Sequence, residues 1–367
     1  MSAHTILVWV AFPFFLLSLG ISFWSIRTHI KQYQQPRFQR LISRILIMIP
    51  IFATVAWVSL LFYNAGRYIF IFRDCYQAFV VATFFLLTEE YLGGVDQILD
   101  FFSKKEPIPQ RKILCIERKP INLAADPRRS FMKVKRGVLQ FAVAMPVIGL
   151  LTLVLDIFSI LEPYDWSPSN AYLYLNIAQV IIVIVSMLSM HKLLNYLEDE
   201  IKLLGTDARI GAKFWCVKVT IFATFLQSIV ISLIFFLAGA NPEDVTPSTI
   251  QNFLLAIEYS IMAAIQMRFF PAREFLVEHG ARLTSKQALR DILWPTDFMQ
   301  ETKRTFTSSN HSDVIDGVAP AETSEYIVSP TMSFEETSDR APLLQSAEPA
   351  YGGTATSSPV ATGDSHE

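Results

Sequence analysis

Glu89 and Glu90 stand side by side in an otherwise apolar stretch, TFFLLTEEYLGG, and Glu258 interrupts another, AIEYSIMAAI. Two functional roles are open to carboxylates in such surroundings: catalysis, or lining a path through the membrane. As a general acid–base pair, Glu89 and Glu90 fail on geometry. Helical neighbours point about 100° apart and cannot converge on one atom. As pathway groups they fit a pattern, since Tyr76, Thr83, Glu90 and Gln97 recur every seven residues and share one helix stripe. Gln251 and Glu258 repeat that spacing, as do Tyr172, Gln179 and Ser186. Lys218 and Gln227 lie nine residues apart and face opposite ways. The candidate lining set is therefore Thr83, Glu89, Glu90, Gln140, Lys218, Gln227 and Glu258. At 1.5 Å rise per residue, Glu90 sits roughly 22 Å below the outer end of its segment. Lys218 lies about 6 Å from the inner end of its own, at the same level, which makes it either an anion contact or an ion-pair partner for Glu89 or Glu90. Glu258, about 12 Å below the outer surface, is too distant to join them. The competing reading makes these groups structural, with charges that snorkel to headgroups and amides that bond helices together.

Other chemistry is missing. The chain has no GxSxG, P-loop, HExxH or GxGxxG motif, so no enzyme is expected. Cys75, Cys115 and Cys216 are too scattered for a disulfide framework or a metal site, and His191 has no ligand partner at useful spacing. Neither cofactor nor metal is expected. A formal net charge of −2 gives no reason to expect nucleic acid.

The elements that position the polar groups follow from composition. Of 367 residues, 52% are hydrophobic and only 17% charged, with 29 Phe and a mean hydropathy of +0.36. A soluble core could not hide that much apolar surface, whereas a bilayer can. The fold class is all-α, a polytopic membrane protein with a seven-transmembrane-helix bundle. The spans are expected at about 5–26, 44–64, 75–95, 137–161, 172–194, 214–239 and 250–270, each near the 20 residues a bilayer needs. The first run is too long for a cleaved signal peptide, and no basic segment precedes it. Lys and Arg concentrate in the first, third and fifth loops and after the last span, while the fourth and sixth loops have none. This asymmetry predicts an N-terminus outside or luminal and a C-terminus in the cytosol.

Three domains are expected. Residues 1–279 form the membrane domain, 280–302 a juxtamembrane amphipathic segment, and 303–367 a disordered, acidic, Ser/Thr-rich cytosolic tail. Asp126-Pro127 reads as an N-cap and first helical residue, opening a basic helix that runs into the fourth span. In LTSKQALRDILW (283–294), Leu289, Ile292 and Leu293 share a face, which suits a helix lying on the inner leaflet with Trp294 at headgroup depth. The tail lacks apolar clusters and cannot offset its chain entropy by burial.

Several blocks together point to a family. The first loop reads His29-x-x-Gln32-Tyr33-x-x-Pro36-x-x-Gln39-Arg40, followed by Arg44-Ile45 and Met48-x-Pro50-Ile51-Phe52-Ala53. Further on come Arg73-Asp74-x-Tyr76-x-Ala78-Phe79, Phe84-Phe85, Tyr91-Leu92-Gly93-Gly94 and Lys135-x-Gly137-x-Leu139-Gln140-Phe141 with Pro146. Lys213-Phe214-x-x-x-Lys218, Phe222, Gln227, Glu258 and Phe270-Pro271 complete the series. Together these resemble the organic solute transporter alpha-subunit (transmembrane protein 184-like) family over about residues 29–279. Two positions depart from the pattern. Gln77 stands where an acid is expected after the tyrosine, and Val95 where an acid often follows the glycines. The resemblance implies facilitated transport of amphipathic organic solutes or anions, steroid- or bile-acid-like or lipid-like. It leaves open a small single-span partner subunit or a homodimer. Relatives with a lipidated cysteine cluster in the third loop make Cys115 a lipidation candidate here.

Two other functions compete. One is an endomembrane trafficking or scaffold role without transport. Asp339-Arg340-Ala341-Pro342-Leu343-Leu344 has the spacing of an acidic dileucine sorting signal, which would engage a sorting adaptor and direct the protein to vacuolar rather than plasma membrane. The other is a seven-helix receptor, disfavoured because the third span ends TEEYLGG and the seventh lacks NPxxY.

Overall fold

The structure, a computed structural model, describes residues 3–62, 66–108, 121–161, 167–203, 209–238, 246–276 and 282–307. Met1–Asp313 makes one compact unit; the second, Val314–Glu367, lies outside the described residues. The elements are helices: α1 Ala3–Lys31, α2 Pro36–Leu46, α3 Met48–Leu61, α4 Gly66–Tyr91, α5 Val95–Lys104, α6 Pro127–Ile157 and α7 Ala171–Tyr196. They continue with α8 Glu198–Leu203, α9 Ile210–Ala238, α10 Pro247–Phe269, a 3-10 turn Ala272–Phe275, α11 Ser285–Leu293 and α12 Thr296–Thr307.

Local chemistry sets the helix ends. The Asp126 carboxylate accepts from the Arg129 amide at 2.8 Å ahead of Pro127, so α6 starts as its sequence predicts. Asn170 and Thr246 cap α7 and α10 in the same way. Gly93 and Gly94, at φ 84° and 89°, end α4. The Gly94 amide donates to the Glu89 carbonyl and Gly93 to Glu90, a closure that needs left-handed backbone. α2 and α3 are separated at Ile47 because Pro50, lacking an N–H, cannot bond the Leu46 carbonyl.

Six of these helical stretches are long and apolar enough to cross a membrane: His4–Lys31, Pro36–Leu61, Tyr68–Tyr91, Pro127–Ile157, Ala171–Tyr196 and Pro247–Phe275. A further helix of 29 residues, α9, covers the sixth expected span. The helices run past the expected boundaries at several ends. α2 begins at Pro36 rather than 44, and α4 takes in Arg73 and Asp74, which hydropathy placed in a loop. Arg73 and Asp74 pair at 2.9 Å, and the guanidinium lies 4.7 Å from the Phe70 ring, so the helix continues through them.

α1 packs against α10 and α3, α3 against α4, α4 against α6, α6 against α7, and α9 against α10. Phe52, Phe85, Phe131 and Phe141 are fully buried in the shared core. The outward faces keep large apolar side chains such as Trp9, Phe23, Leu150 and Leu237 exposed, as acyl chains require. Glycine allows two close approaches. A Cβ on Gly137 would stand 2.2 Å from Ser189 Oγ on α7, and one on Gly149 would stand 2.6 Å from Ile71 Cγ2 on α4. Gly137→Ala is therefore expected to force α6 and α7 apart and cost about 1–3 kcal/mol, read as a lower melting temperature of the purified protein.

The segment expected on the leaflet is instead held by the bundle on one side. Ala288 and Ile292 of α11 are buried against Tyr33, Ile30 and Ile47, while Leu289, Leu293 and Trp294 remain exposed. α12 extends to Thr307, so the expected boundary at 302–303 falls inside a helix. The segment is a two-helix strap across the end of the bundle where α2 and α6 begin and α4 finishes.

Candidate functional site

Three polar groups are built into this scaffold. The first fastens the strap. Arg44 on α2 is 2% exposed and makes five hydrogen bonds, as many as a guanidinium has N–H donors. Nε donates to the Ile292 carbonyl at 2.9 Å, and the terminal nitrogens donate to the Asp291 and Trp294 carbonyls and to both Asp297 oxygens. Those carbonyls close the last turn of α11, where helix carbonyls lack partners and positive charge is favoured. Around it, the Tyr33 hydroxyl donates to Asp291, and Arg40 reaches both Asp291 and Asp297. Lys135 on α6, 2% exposed, joins Glu89 of α4 at 3.1 Å to Glu301 of α12. Phe298 meets the Phe79 ring edge-on at 5.0 Å. Under the strap lies a pocket of about 120 Å³ lined by Arg40, Leu41, Leu86, Glu89, Glu90, Asp297 and Glu301.

Electrostatics favour the closed strap. Burial alone would raise the Asp297 carboxyl. Hydrogen bonds from Arg44, together with the charges of Arg40 and Arg44, overcome it and hold Asp297 below the usual carboxylate range. Burial and Asp291 push the Tyr33 hydroxyl up. A depressed carboxyl stabilises the folded form fully above its unfolded value, about 3.9, and the gain is lost as pH falls through the lowered native value. The difference in strap docking between the native protein and Asp297→Asn should thus be constant from pH 8 to 5. It should shrink only below about pH 3.9. A spin label on Gln300→Cys, an exposed strap position, reads both.

The second group is a buried junction where α1, α2, α4, α9 and the 3-10 turn meet. The Lys213 ammonium, on α9, sits 2.8 Å from both Glu274 oxygens and 2.7 Å from the Tyr91 hydroxyl, which itself donates to Glu274. Rings of Tyr91, Phe270 and Phe275 surround the ammonium. Phe38 of α2 stacks on Phe275 and leans on Tyr91. His29 of α1 contacts the Phe270 carbonyl through Nε2 at 3.0 Å. The third group lies between α9 and α10. There Gln227 donates to Glu258 at 2.8 Å, Thr224 meets the Tyr259 hydroxyl at 3.2 Å, and Gln251 donates to the Thr224 carbonyl. Gln227 Oε1 and Glu258 Oε2 are buried with no hydrogen-bond partner among the described residues.

Blocks of this sequence run in order through all three groups. The family model for the organic solute transporter Ostalpha matches residues 7–275. The chain belongs to that family. The family is one of solute transporters rather than enzymes, and this member is a multi-pass integral membrane protein. It is 31% identical over 302 residues to the vacuole membrane protein HFL1 of Saccharomyces cerevisiae, covering 79% of this chain and 68% of that one. No solved structure matches it.

The structure of this family member brings some of the expected residues together and separates others. Gln227 and Glu258 meet, and Glu89 and Glu90 share the pocket under the strap. The ion pair of Glu89 or Glu90 with Lys218 does not form. Lys135 takes Glu89, and Lys218 lies instead over the rings of Phe214, Trp215 and Phe222. Thr83 is buried and bonds back to the Phe79 carbonyl of its own helix. Gln140 stays half-buried on α6, outside the three groups. Cys115, Asp339, Leu343 and Leu344 lie outside the described residues. Sequence reasoning missed Arg44, Lys135 and Lys213 because it counted them as loop charges. Their signal was Glu274 just past Phe270-Pro271, and Asp297 just past Trp294-Pro295.

Proposed function

We infer that this protein is a seven-helix facilitator for amphipathic organic solutes, with α9 as the seventh crossing, the N-terminus outside or luminal and the strap in the cytosol. The solute's polar part would follow Glu89, Glu90 and Gln140 on one side and Gln227 and Glu258 on the other. Residues 1–279 would form the transport domain and the strap its inner cover, with the tail following Thr307. One observation carries the reading: a pocket with two intramembrane carboxylates on its wall, Glu89 and Glu90, opens beside helices of a solute transporter family member. Acids at that depth are retained where they meet water or a polar ligand. The test is uptake of labelled amphipathic solutes, anionic and neutral, into vesicles holding the purified full-length protein. Flux above empty vesicles supports the reading; none across a broad panel ends it.

A second reading is favoured by the name of the yeast relative, a vacuole membrane protein. Here the protein resides in vacuole-type membranes, directed by Asp339, Leu343 and Leu344 through a sorting adaptor. Replacing Leu343 and Leu344 by Ala should then shift it to the plasma membrane, and an unchanged location would retire the signal. A small single-span subunit or a second copy of the chain would complete the assembly, which crosslinking in the native membrane resolves.

A further inference from the structure

Lys135, Lys213 and Lys218, all on long apolar helices, differ in what surrounds their ammonium groups. Lys135 has Glu89 and Glu301, and Lys213 has Glu274. Lys218, among the described residues, has only ring faces. The Trp215 ring centre is 4.7 Å away, Phe214 5.7 Å and Phe222 5.8 Å, all from its own helix. Ring faces attract a cation but bring no net negative charge. A half-buried ammonium at the edge of the lipid-facing surface still lacks a counter-ion.

Position indicates where that counter-ion comes from. Trp215 is 58% and Val219 45% exposed, so the surface flanking Lys218 meets acyl chains. Phe214 turns inward onto Phe84 of α4, leaving Lys218 between the seam and the lipid. Eight residues from the start of α9 place its Cα about 12 Å inside the helix end, and a lysine reaches back toward the headgroups along its stem. Of the anions attached to an apolar body, the one the bilayer itself presents at that depth is the phosphate of a phospholipid.

We propose that Lys218, with Trp215 and Val219, forms a binding site on α9 for the phosphate headgroup of an anionic phospholipid, whose acyl chain lies along the exposed helix face. The site is independent of transport. It selects by charge at the headgroup and tolerates any chain on the apolar wall.

The test uses the purified full-length protein, titrated with phosphatidic acid, phosphatidylcholine or cholate, with bound molecules counted by native mass spectrometry. Lys218→Gln should lower phosphatidic acid retention by about fivefold, the size of one basic contact with an anionic leaflet. It should leave phosphatidylcholine unchanged. Lys218→Arg should retain the lipid, and Lys202→Gln, at an exposed lysine paired with Glu198, should match the native protein. Should Lys218→Gln not fold, Trp215→Leu gives the second reading, with weakened retention expected. Equal phosphatidic acid retention in native and Lys218→Gln protein overturns the site, as does unchanged retention in Trp215→Leu. Cholate displacing phosphatidic acid and binding in a Lys218-dependent way would assign the lysine to a carboxylate solute instead, and also overturns it.

Discussion

Lys213→Met should destabilise the bundle by about 3–5 kcal/mol, because it strands a buried carboxylate rather than merely deleting a contact. The native ammonium spends its three N–H groups on the two Glu274 oxygens and the Tyr91 hydroxyl, and its side chain is 1% exposed. Methionine fills similar space and leaves Glu274, only 11% exposed, with the tyrosine donor alone. The strain spreads because the junction ties α4, α9 and the 3-10 turn together and touches α1 through His29 and Phe270. The double variant Lys213→Met with Glu274→Gln removes both charges and should recover most of the loss, since an apolar or neutral replacement of a buried pair is often close to neutral. Melting of the purified protein followed by circular dichroism checks both. If Lys213→Met melts with the native protein, the junction does not hold the bundle together.

What the chain reveals without a structure is the greasy part. Long apolar runs and the Asp126-Pro127 start were readable because hydropathy and capping are local, acting within one helix turn. Helix ends were less readable. Arg73 and Asp74 look like a loop by charge, yet they neutralise each other within α4. Ion-pair partners were least readable of all. Depth arithmetic puts Lys218 and Glu89 at one level but is blind to which helix stands beside which. In the fold α6 rather than α9 presents its lysine to Glu89. Long-range pairs depend on the packing order of helices, and no spacing rule within one segment carries that information. Gln227 and Glu258, both flagged as intramembrane polar groups, meet because consecutive helices α9 and α10 are neighbours, the simplest packing a chain can adopt.

Arg44→Ala is expected to release the strap while leaving the rest of the bundle folded. The five bonds of Arg44 converge on α11 and α12, three of them to the closing carbonyls of α11 and two to Asp297. Alanine leaves the Ile292 carbonyl buried without its donor, takes the guanidinium from the part-buried Asp291 and Trp294 carbonyls and deprives Asp297 of its main partner, a loss of about 3–5 kcal/mol for a buried, hydrogen-bonded charge. The remaining ties are Tyr33 to Asp291, Arg40 to Asp291 and Asp297, Lys135 to Glu301, Arg136 to the Thr305 carbonyl and the Phe298–Phe79 contact, none of which takes over the closing carbonyls of α11. Arg44→Lys should rescue little. A lysine has one nitrogen and three donors, and cannot reach carbonyls and carboxylate from a planar fork as the guanidinium does. A spin label on Gln300→Cys should therefore turn mobile in both Arg44 variants. Lys135→Met, which removes one strap tie, that to Glu301, and also unpairs Glu89 of α4, should loosen the strap less. The cost falls on a local opening rather than on global unfolding, because α11 and α12 cover the bundle from one side. The melting of the helices should shift less than in Lys213→Met. A strap that stays rigid in Arg44→Ala would mean that burial of Ala288 and Ile292 alone holds it down, and the guanidinium would then be a passenger in its own network.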